Sequence, residues 1–263
     1  MTPVLEVAHL RKTYGKTVAV ADLSFTLAPG GALGLVGESG SGKTTTARML
    51  LGLEKPDSGD IQVCGRPLTE APRGRPARLA RAKAVQIVFQ DPYLSLDPRL
   101  TVRAALDDVL RLHGHPDRPA RVRELLDQVG LGEREAGALP RALSGGQRQR
   151  AAIARALAVE PDVLVLDEAV SALDVSIQAQ ILNLLADIRR ESRIGIVFVS
   201  HDLAVVRYLC DEALVLHRGV VVEHRGMEEL LRDPREGYTK LLLASVPHAG
   251  WDPEEIAERR RAL

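Results

Sequence analysis

The most specific chemistry in the chain sits in Gly37-Glu38-Ser39-Gly40-Ser41-Gly42-Lys43-Thr44, which fits G-x-x-x-x-G-K-S/T. Loops of this pattern hold phosphates. Glycines let successive backbone N–H groups turn inward as an anion nest, and the helix that follows adds positive potential at its start. Lys43 supplies a point charge for the β- and γ-phosphates of a nucleotide, and the Thr44 hydroxyl is placed to ligate Mg²⁺.

A second constellation is Val163-Leu164-Val165-Leu166-Asp167-Glu168, an apolar run ending in two acids. Paired carboxylates at the end of a buried strand are costly unless they face a cation and a reacting water. Asp167 suits a Mg²⁺ shell, and Glu168 can polarise an attacking water as general base. Two more apolar runs deliver polar residues in the same way. Val85 to Phe89 ends at Gln90, and Ile194 to Val199 ends at Ser200-His201. In open α/β sheets the ligand lies beyond the carboxyl ends of the strands. Gln90 can ligate Mg²⁺ through its carbonyl oxygen and orient a water with the same amide. A glutamine or a histidine at one strand end is ordinary; these two matter because Glu168 has the same placement.

Two further features are weak alone. Ser144-Gly145-Gly146-Gln147 opens a helix with a good N-cap and two glycines that permit close backbone approach. Tyr14, in Lys12-Thr13-Tyr14-Gly15, is either a turn residue or an aromatic face for an adenine ring.

The phosphate loop needs a strand before it and a helix after it. Residues 32–36 are apolar enough for a buried strand, and 44–51 read as a helix. Upstream, residues 4–10 and 18–27 read as strands, and 60–64 as a short one. Residues 101–158 change character: Leu106, Val109, Leu110 and Leu112, then Val122, Leu125, Leu126 and Val129, have helical spacing. The last helix of that region is expected to run to about Val159. Residues 175–191 read as an amphipathic helix, 213–217 and 220–223 as closing strands, and 226–231 and 238–245 as short helices. Arg73, Arg75, Arg78, Arg81 and Lys83 carry no acid among them and read as a solvated face. The tail from Gly250, with Trp251, is expected to be poorly ordered. No internal repeat is evident, so one set of nucleotide residues is expected per chain.

Composition bounds the alternatives. Of 263 residues, 35 are Lys or Arg and 35 are Asp or Glu, so bulk charge draws the chain to neither nucleic acid nor an anionic membrane. Aromatics are 3%, leaving few platforms for stacked bases. Cys64 and Cys210 lack metal-ligand spacing and suggest a reducing compartment. No signal pattern and no apolar run of the ~18 residues that span a bilayer is present. The expectation is a cytoplasmic protein whose membrane role, if any, comes through a partner.

Taken together, these residues resemble the nucleotide-binding subunit of an ATP-binding cassette (ABC) transporter over roughly residues 4–247. Walker A is 37–44, Walker B is 163–168, and the signature Leu-Ser-Gly-Gly-Gln stands unsubstituted at 143–147. Tyr14, Gln90, Asp174 and His201 match the adenine-stacking, Q-loop, D-loop and H-loop positions. Within the family, Phe89-Gln90-Asp91-Pro92-Tyr93-Leu94-Ser95-Leu96-Asp97-Pro98-Arg99, residues 171–180, and Tyr238-Thr239 through Leu241-Leu242 to Pro247 look like the oligopeptide/dipeptide importer branch. Ala169-Val170 replaces the frequent Pro-Thr and reads as a mark of that branch. The tail lacks the cysteine cluster of some branch members, so no iron–sulfur centre is expected.

The resemblance implies an α/β fold: a single P-loop, RecA-like ABC ATPase core at about 1–90 and 159–235, with an antiparallel β part. A helical subdomain would be inserted at about 91–158, and a C-terminal extension would cover about 236–263. It implies ATP and Mg²⁺ as ligands. The nucleotide would meet Tyr14, Gly37 to Thr44, Thr45, Asp174 and, in a head-to-tail dimer, Ser144, Gly145, Gly146 and Gln147 of the opposite subunit. The metal would be held through Thr44, Gln90 and Asp167. Catalysis would fall to Glu168 as base, with Lys43, Gln90 and His201. Expected partners are a second ABC ATPase subunit, identical or sister, two membrane permease subunits that dock near 91–100, and indirectly a substrate-binding protein; nucleic acid is not expected. The expected location is the cytoplasmic face of the cell membrane, and the expected cargo is peptide, with nickel or another small solute open. Two other readings stay open at this stage. One is a soluble ABC-type ATPase acting on DNA or ribosomes. The other is an accessory ATPase of a soluble complex such as carbon–phosphorus lyase.

Overall fold

The structure, a computed structural model, describes residues 2–68 and 74–245. The expectations for Arg73, for Pro247 and for the tail from Gly250 with Trp251 lie outside the described residues.

Ten strands form one sheet in the order β5-β4-β1-β2-β10-β9-β3-β8-β7-β6. They are β1 Leu5–Tyr14, β2 Thr17–Leu27, β3 Ala32–Val36, β4 Ser58–Val63, β5 Arg66–Pro67, β6 Val85–Phe89, β7 Val163–Asp167, β8 Gly195–Ser200, β9 Glu212–His217 and β10 Val220–Gly226. The helices are α1 Lys43–Leu50, α2 Gly74–Ala84, α3 Val102–Leu112, α4 Arg118–Gln128, α5 Glu133–Ala136 and α6 Gly145–Leu157. They continue as α7 Val175–Ser192, α8 Leu203–Val206, α9 Met227–Arg232 and α10 Gly237–Ala244.

Strands β9, β3, β8, β7 and β6 run parallel. Strands covered on both faces should be apolar throughout rather than alternating. Every residue of β3 and β8 is buried, as are the first four of β7. Successive residues still face opposite ways. Val36, Leu164, Leu166, Ile196 and Phe198 pack toward α6 and α7, whereas Leu33, Leu35, Val163, Val165, Val197 and Val199 pack toward α1 and the antiparallel strands. The antiparallel part, β1 with β2 and β4, joins this sheet narrowly, through Val220 beside Asp22 and the Ala21 N–H donated to Gly219 O at 2.7 Å.

Between β6 and β7 lie α3 to α6, with no strand among them. Thr101 caps α3 by accepting from the Ala104 N–H at 3.2 Å, and Asp117 caps α4 by accepting from the Ala120 N–H at 3.1 Å. Leu106, Leu110, Val122, Leu125, Leu126 and Val129 are buried in one cluster with α6, as their spacing predicts, whereas Val109 is half-buried and Leu112, at the end of α3, is exposed.

Some elements differ from the sequence reading. Tyr14 is the last residue of β1 and not a turn residue, because its pairing with Thr17 carries the ladder to the tip of the hairpin. Strand β10 continues to Gly226, since pairing with β9 persists to Glu212. In the basic run, Arg75, Arg78 and Lys83 are exposed, but Arg81 folds over Gly52, where an added Cβ would strike its guanidinium. That burial lowers its pKa.

Candidate functional site

Four parallel strands end side by side. Their register sets Val36 beside Ser200, Asp167 beside Val199 and Phe89 beside Asp167. The next residues along each strand, Gly37, His201, Glu168 and Gln90, therefore leave the sheet along one edge. Period and pairing alone bring these four together from positions far apart in the chain.

The phosphate loop is held in place by the chain behind it. A Cβ on Gly37 would lie 2.2 Å from the Leu216 carbonyl oxygen, and one on Gly42 would lie 2.3 Å from that of Ala19. Gly42 also has φ +109°, which excludes most other residues. The Gly219 N–H donates to Ser41 O at 3.0 Å. Ser41 is buried, while Ser39, Gly40 and Thr44 are exposed and Thr45 is half-buried. Lys43 opens α1 and turns back into the loop. Its ammonium donates to Gly37 O at 2.6 Å, to Glu38 O at 2.8 Å and to Ser41 Oγ at 3.5 Å. Burial lowers its pKa, against the opposing pull of Glu168, Asp167 and Glu38.

Across from the lysine stand the two acids. Asp167 ends β7, and burial, then the neighbouring Glu168, raise its pKa. Its Oδ1 is buried with no hydrogen-bond partner. A carboxylate oxygen left so is a poor fit to protein alone and a good fit to a divalent cation. No group of three His, Cys, Asp or Glu side chains that could hold a metal occurs among the described residues. Mg²⁺ characteristically needs none, being held by one or two carboxylates together with phosphate oxygens. Of the other expected metal contacts, the Thr44 side chain is exposed at the start of α1, and Gln90 is exposed just beyond β6.

Glu168 has φ +50°, the left-handed region, which an acid enters at a cost of about 1–3 kcal/mol. Backbone and side-chain contacts hold it there. Its N–H donates to Val199 O at 3.0 Å, its carbonyl accepts from Ser171 Oγ at 3.0 Å, and Oε1 lies 3.5 Å from His201 Nδ1. Glu38, Ser39, Glu168 and His201 line a cleft of about 550 Å³.

Other expected residues lie around this centre. Tyr14 presents an exposed ring, with Lys12 Nζ 5.3 Å from its centroid and Lys12 itself paired to Glu54 at 2.7 Å. Tyr14 pairs with Thr17, two residues before Ala19, which abuts Gly42. Asp174 is exposed before α7, and its carboxylate does not cap that helix. Ser144 caps α6: its Oγ accepts from the Gln147 N–H at 3.2 Å, and Gln147 Oε1 accepts from the Ser144 N–H at 2.9 Å. Gly145 has room beside it. Gly146 does not, since a Cβ there would lie 2.6 Å from Ile177 Cγ2. The sequence reading assigned both glycines to ligand approach; packing of α6 on α7 is enough to require the second. No hydrogen bond among the described residues joins Ser144–Gln147 to the phosphate loop.

Sequence reasoning missed three supporting residues. Gln149 is buried and donates through Nε2 to Phe89 O at 3.3 Å, tying α6 to the strand end before Gln90. The signal was a glutamine in line with Gly146, Ile153 and Ala156 on the inner stripe of α6. Arg148 donates to Leu143 O at 2.7 Å and lies over the Tyr93 ring at 5.0 Å, joining the two loops from the other side. Tyr238, from α10, reaches the phosphate loop itself.

The chain is similar to known proteins in both sequence and fold. The sequence pattern of the family described as "ABC transporter" matches residues 20–171. The oligopeptide transport ATP-binding protein OppD of Mycobacterium tuberculosis is 46% identical over 258 residues, covering 93% of this chain. The chain spans only 42% of that protein's length. OppF of Bacillus subtilis is 41% identical over 269 residues, covering 98% of this chain and 87% of OppF. A Brucella melitensis protein named putative peptide import ATP-binding protein BMEII0864 is 43% identical over 266 residues, covering 98% and 83%. Among solved structures, the dimeric post-hydrolysis state of the ATP-binding cassette MJ0796 with ADP and Pi superposes with a TM-score of 0.75 at 28% identity, over 85% of this chain and 98% of that one. The cbiO1 subunit of the Clostridium perfringens transporter complex cbiONQ superposes with a TM-score of 0.78 at 27% identity, over 89% and 92%.

Proposed function

The chain belongs to the ABC transporter family, and from that premise we propose that it binds and hydrolyses ATP to energise peptide import through a membrane permease. The observation that carries the reading is the shared edge where Lys43, Asp167, Glu168 and His201 converge while Ser144 to Gln147 stay apart.

Lys43 keeps the Gly37 carbonyl and turns its remaining N–H donors to the β- and γ-phosphates, helped by the backbone N–H groups of the loop. Tyr14 offers its ring to adenine. Asp167, the Thr44 hydroxyl and Gln90 would hold Mg²⁺, and the orphaned Oδ1 of Asp167 supports that choice. When bound, the ion neutralises charge on the phosphate oxygens. Glu168 takes a hydrogen bond from the attacking water and aims it in line at the γ-phosphorus, whose bond to the bridging oxygen breaks. His201, beside Glu168, donates through its Nε2–H to the γ-phosphate.

The signature segment needs a phosphate that its own chain does not bring to it. A second copy or a sister subunit in head-to-tail contact would supply one, and the solved MJ0796 cassette, likewise described as dimeric, supports a paired form. Ser144, Gly145, Gly146 and Gln147 then close over the partner's nucleotide, with Asp174 beside them. Among the described residues no helix is long and apolar enough to cross a membrane, so contact with a permease falls to the surface. Tyr93 and Leu94, exposed just after Gln90, suit that contact. Peptide as cargo is supported by the names of the relatives.

The experiment is to purify tagged Glu168→Gln chain from its native membranes in mild detergent with ATP and identify what accompanies it. Two multi-span permease subunits support the importer. Soluble enzymes or nucleic acid without membrane protein contradict it.

A further inference from the structure

Helix α10 lies outside the segment that matches the family pattern, yet it touches the phosphate loop. Its second residue, Tyr238, is 5% exposed. The phenol oxygen accepts a hydrogen bond from the Glu38 N–H at 2.9 Å, bridging 200 positions of sequence. The ring lies flat on His217, with centroids 4.0 Å apart and planes 7° apart. His217 ends β9 directly after Leu216, whose carbonyl oxygen abuts Gly37. The start of α10 is itself fixed. The buried carboxylate of Glu223 on β10 accepts from the Arg235 N–H at 3.0 Å and the Glu236 N–H at 3.2 Å.

The contact matters because of which peptide it takes. The Glu38 N–H and the Gly37 carbonyl belong to one planar unit, so fixing one edge fixes the other. The N–H edge goes to Tyr238, and the carbonyl edge accepts Lys43 Nζ at 2.6 Å. Tyr238 thus sets the direction of the carbonyl that holds the phosphate-binding lysine.

We propose that Tyr238 is a positioning residue for ATP binding, acting through the Gly37–Glu38 peptide on Lys43. The inference rests on the ATPase reading above and extends the nucleotide machinery into the C-terminal helix. It also gives the Tyr238-Thr239 stretch, which marked a branch of the family in the sequence, a physical task. Without the hydroxyl, the Glu38 N–H must find another partner and the peptide is free to rotate. Lys43 then loses a preset position near the phosphates.

The test uses the full chain and three measurements on Tyr238→Phe, which keeps the ring on His217 and removes only the oxygen. Mg-ADP affinity by calorimetry is expected to fall about three- to tenfold, the range of one net hydrogen bond, with KM for ATP rising by a similar factor. Hydrogen exchange at the Glu38 amide is expected to quicken. In a Lys43→Ala background the same change is expected to cost nothing further, because its effect passes through the lysine. If Tyr238→Phe proves too unstable, His217→Ser reads the same way, leaving the hydroxyl but removing the ring that holds it. Unchanged affinity with unchanged Glu38 exchange overturns the proposal, as does an equal loss in the Lys43→Ala background, which would reduce Tyr238 to packing. A parent chain that binds no ADP overturns the ATPase reading instead.

Discussion

Nδ1 of His201 stands 3.5 Å from Oε1 of Glu168, although the two residues come from the ends of different parallel strands. The imidazole is more exposed than the carboxylate, with side-chain accessibilities of 58% and 28%. The acid is therefore held from below and the histidine faces the cleft. His201→Ala is expected to lower ATP turnover at least ~100-fold, a loss typical of a removed polar transition-state contact. Nucleotide affinity should stay within about threefold, because Lys43 and the loop amides remain. Paired turnover and binding measurements check this; a matched fall in both would make His201 a binding group.

Asp167 is poised at the expense of stability. Its pKa is raised above the ordinary 3.8 by burial and by Glu168. Relative to the unfolded chain, the fold therefore favours the protonated acid. That contribution is fully present below 3.8 and is lost as pH rises through the elevated folded value. At neutral pH the ionised side chain is a net cost in metal-free protein. Asp167→Asn is expected to raise the metal-free Tm and to abolish turnover. Thermal melts at pH 7.5 in EDTA check the first part. A lowered Tm would mean that attraction to Lys43 and Arg48 outweighs burial.

The two signature glycines should separate by role. Gly146→Ala forces a Cβ to within 2.6 Å of Ile177 Cγ2, and overpacking of this kind costs about 1–3 kcal/mol. Urea denaturation should show that loss, and Ile177→Val should restore part of it. Gly145→Ala has 3.6 Å to its nearest neighbour, Leu173 Cδ2. It should leave stability within about 0.5 kcal/mol while lowering turnover, if phosphate of a partner approaches there.

Much of the site was legible in the sequence because it is built from strand ends. An apolar run of four to six residues that stops at a polar one announces both the buried strand and the edge where its ligand lies. Gln90, Glu168 and His201 follow from that rule, and the phosphate loop from its glycines and lysine. The hidden parts depend on contacts that local patterns do not encode. Tyr238 meets Glu38 across 200 positions of sequence, and only sheet order places β9 and α10 behind the loop. Gln149 looked like one more polar residue in a helix start rich in them, until α6 was laid against β6. Gly146 was read as serving a ligand when a neighbouring helix already required it. The family resemblance carried the dimer and the permease, which no single chain displays.

The measurement that bears most directly on the central claim is sedimentation of Glu168→Gln protein with Mg-ATP and with Mg-ADP, alongside its turnover. Glu168 lines the cleft without touching Lys43 through any described hydrogen bond. The variant is expected to bind ATP as tightly as the parent, to hydrolyse it at least ~100-fold more slowly, and to sediment as a dimer with ATP but as a monomer with ADP, with the sister subunit added if the working pair is unlike. Hydrolysis at the parental rate would contradict Glu168 as the base, and a monomer with ATP in both settings would contradict the nucleotide sandwich.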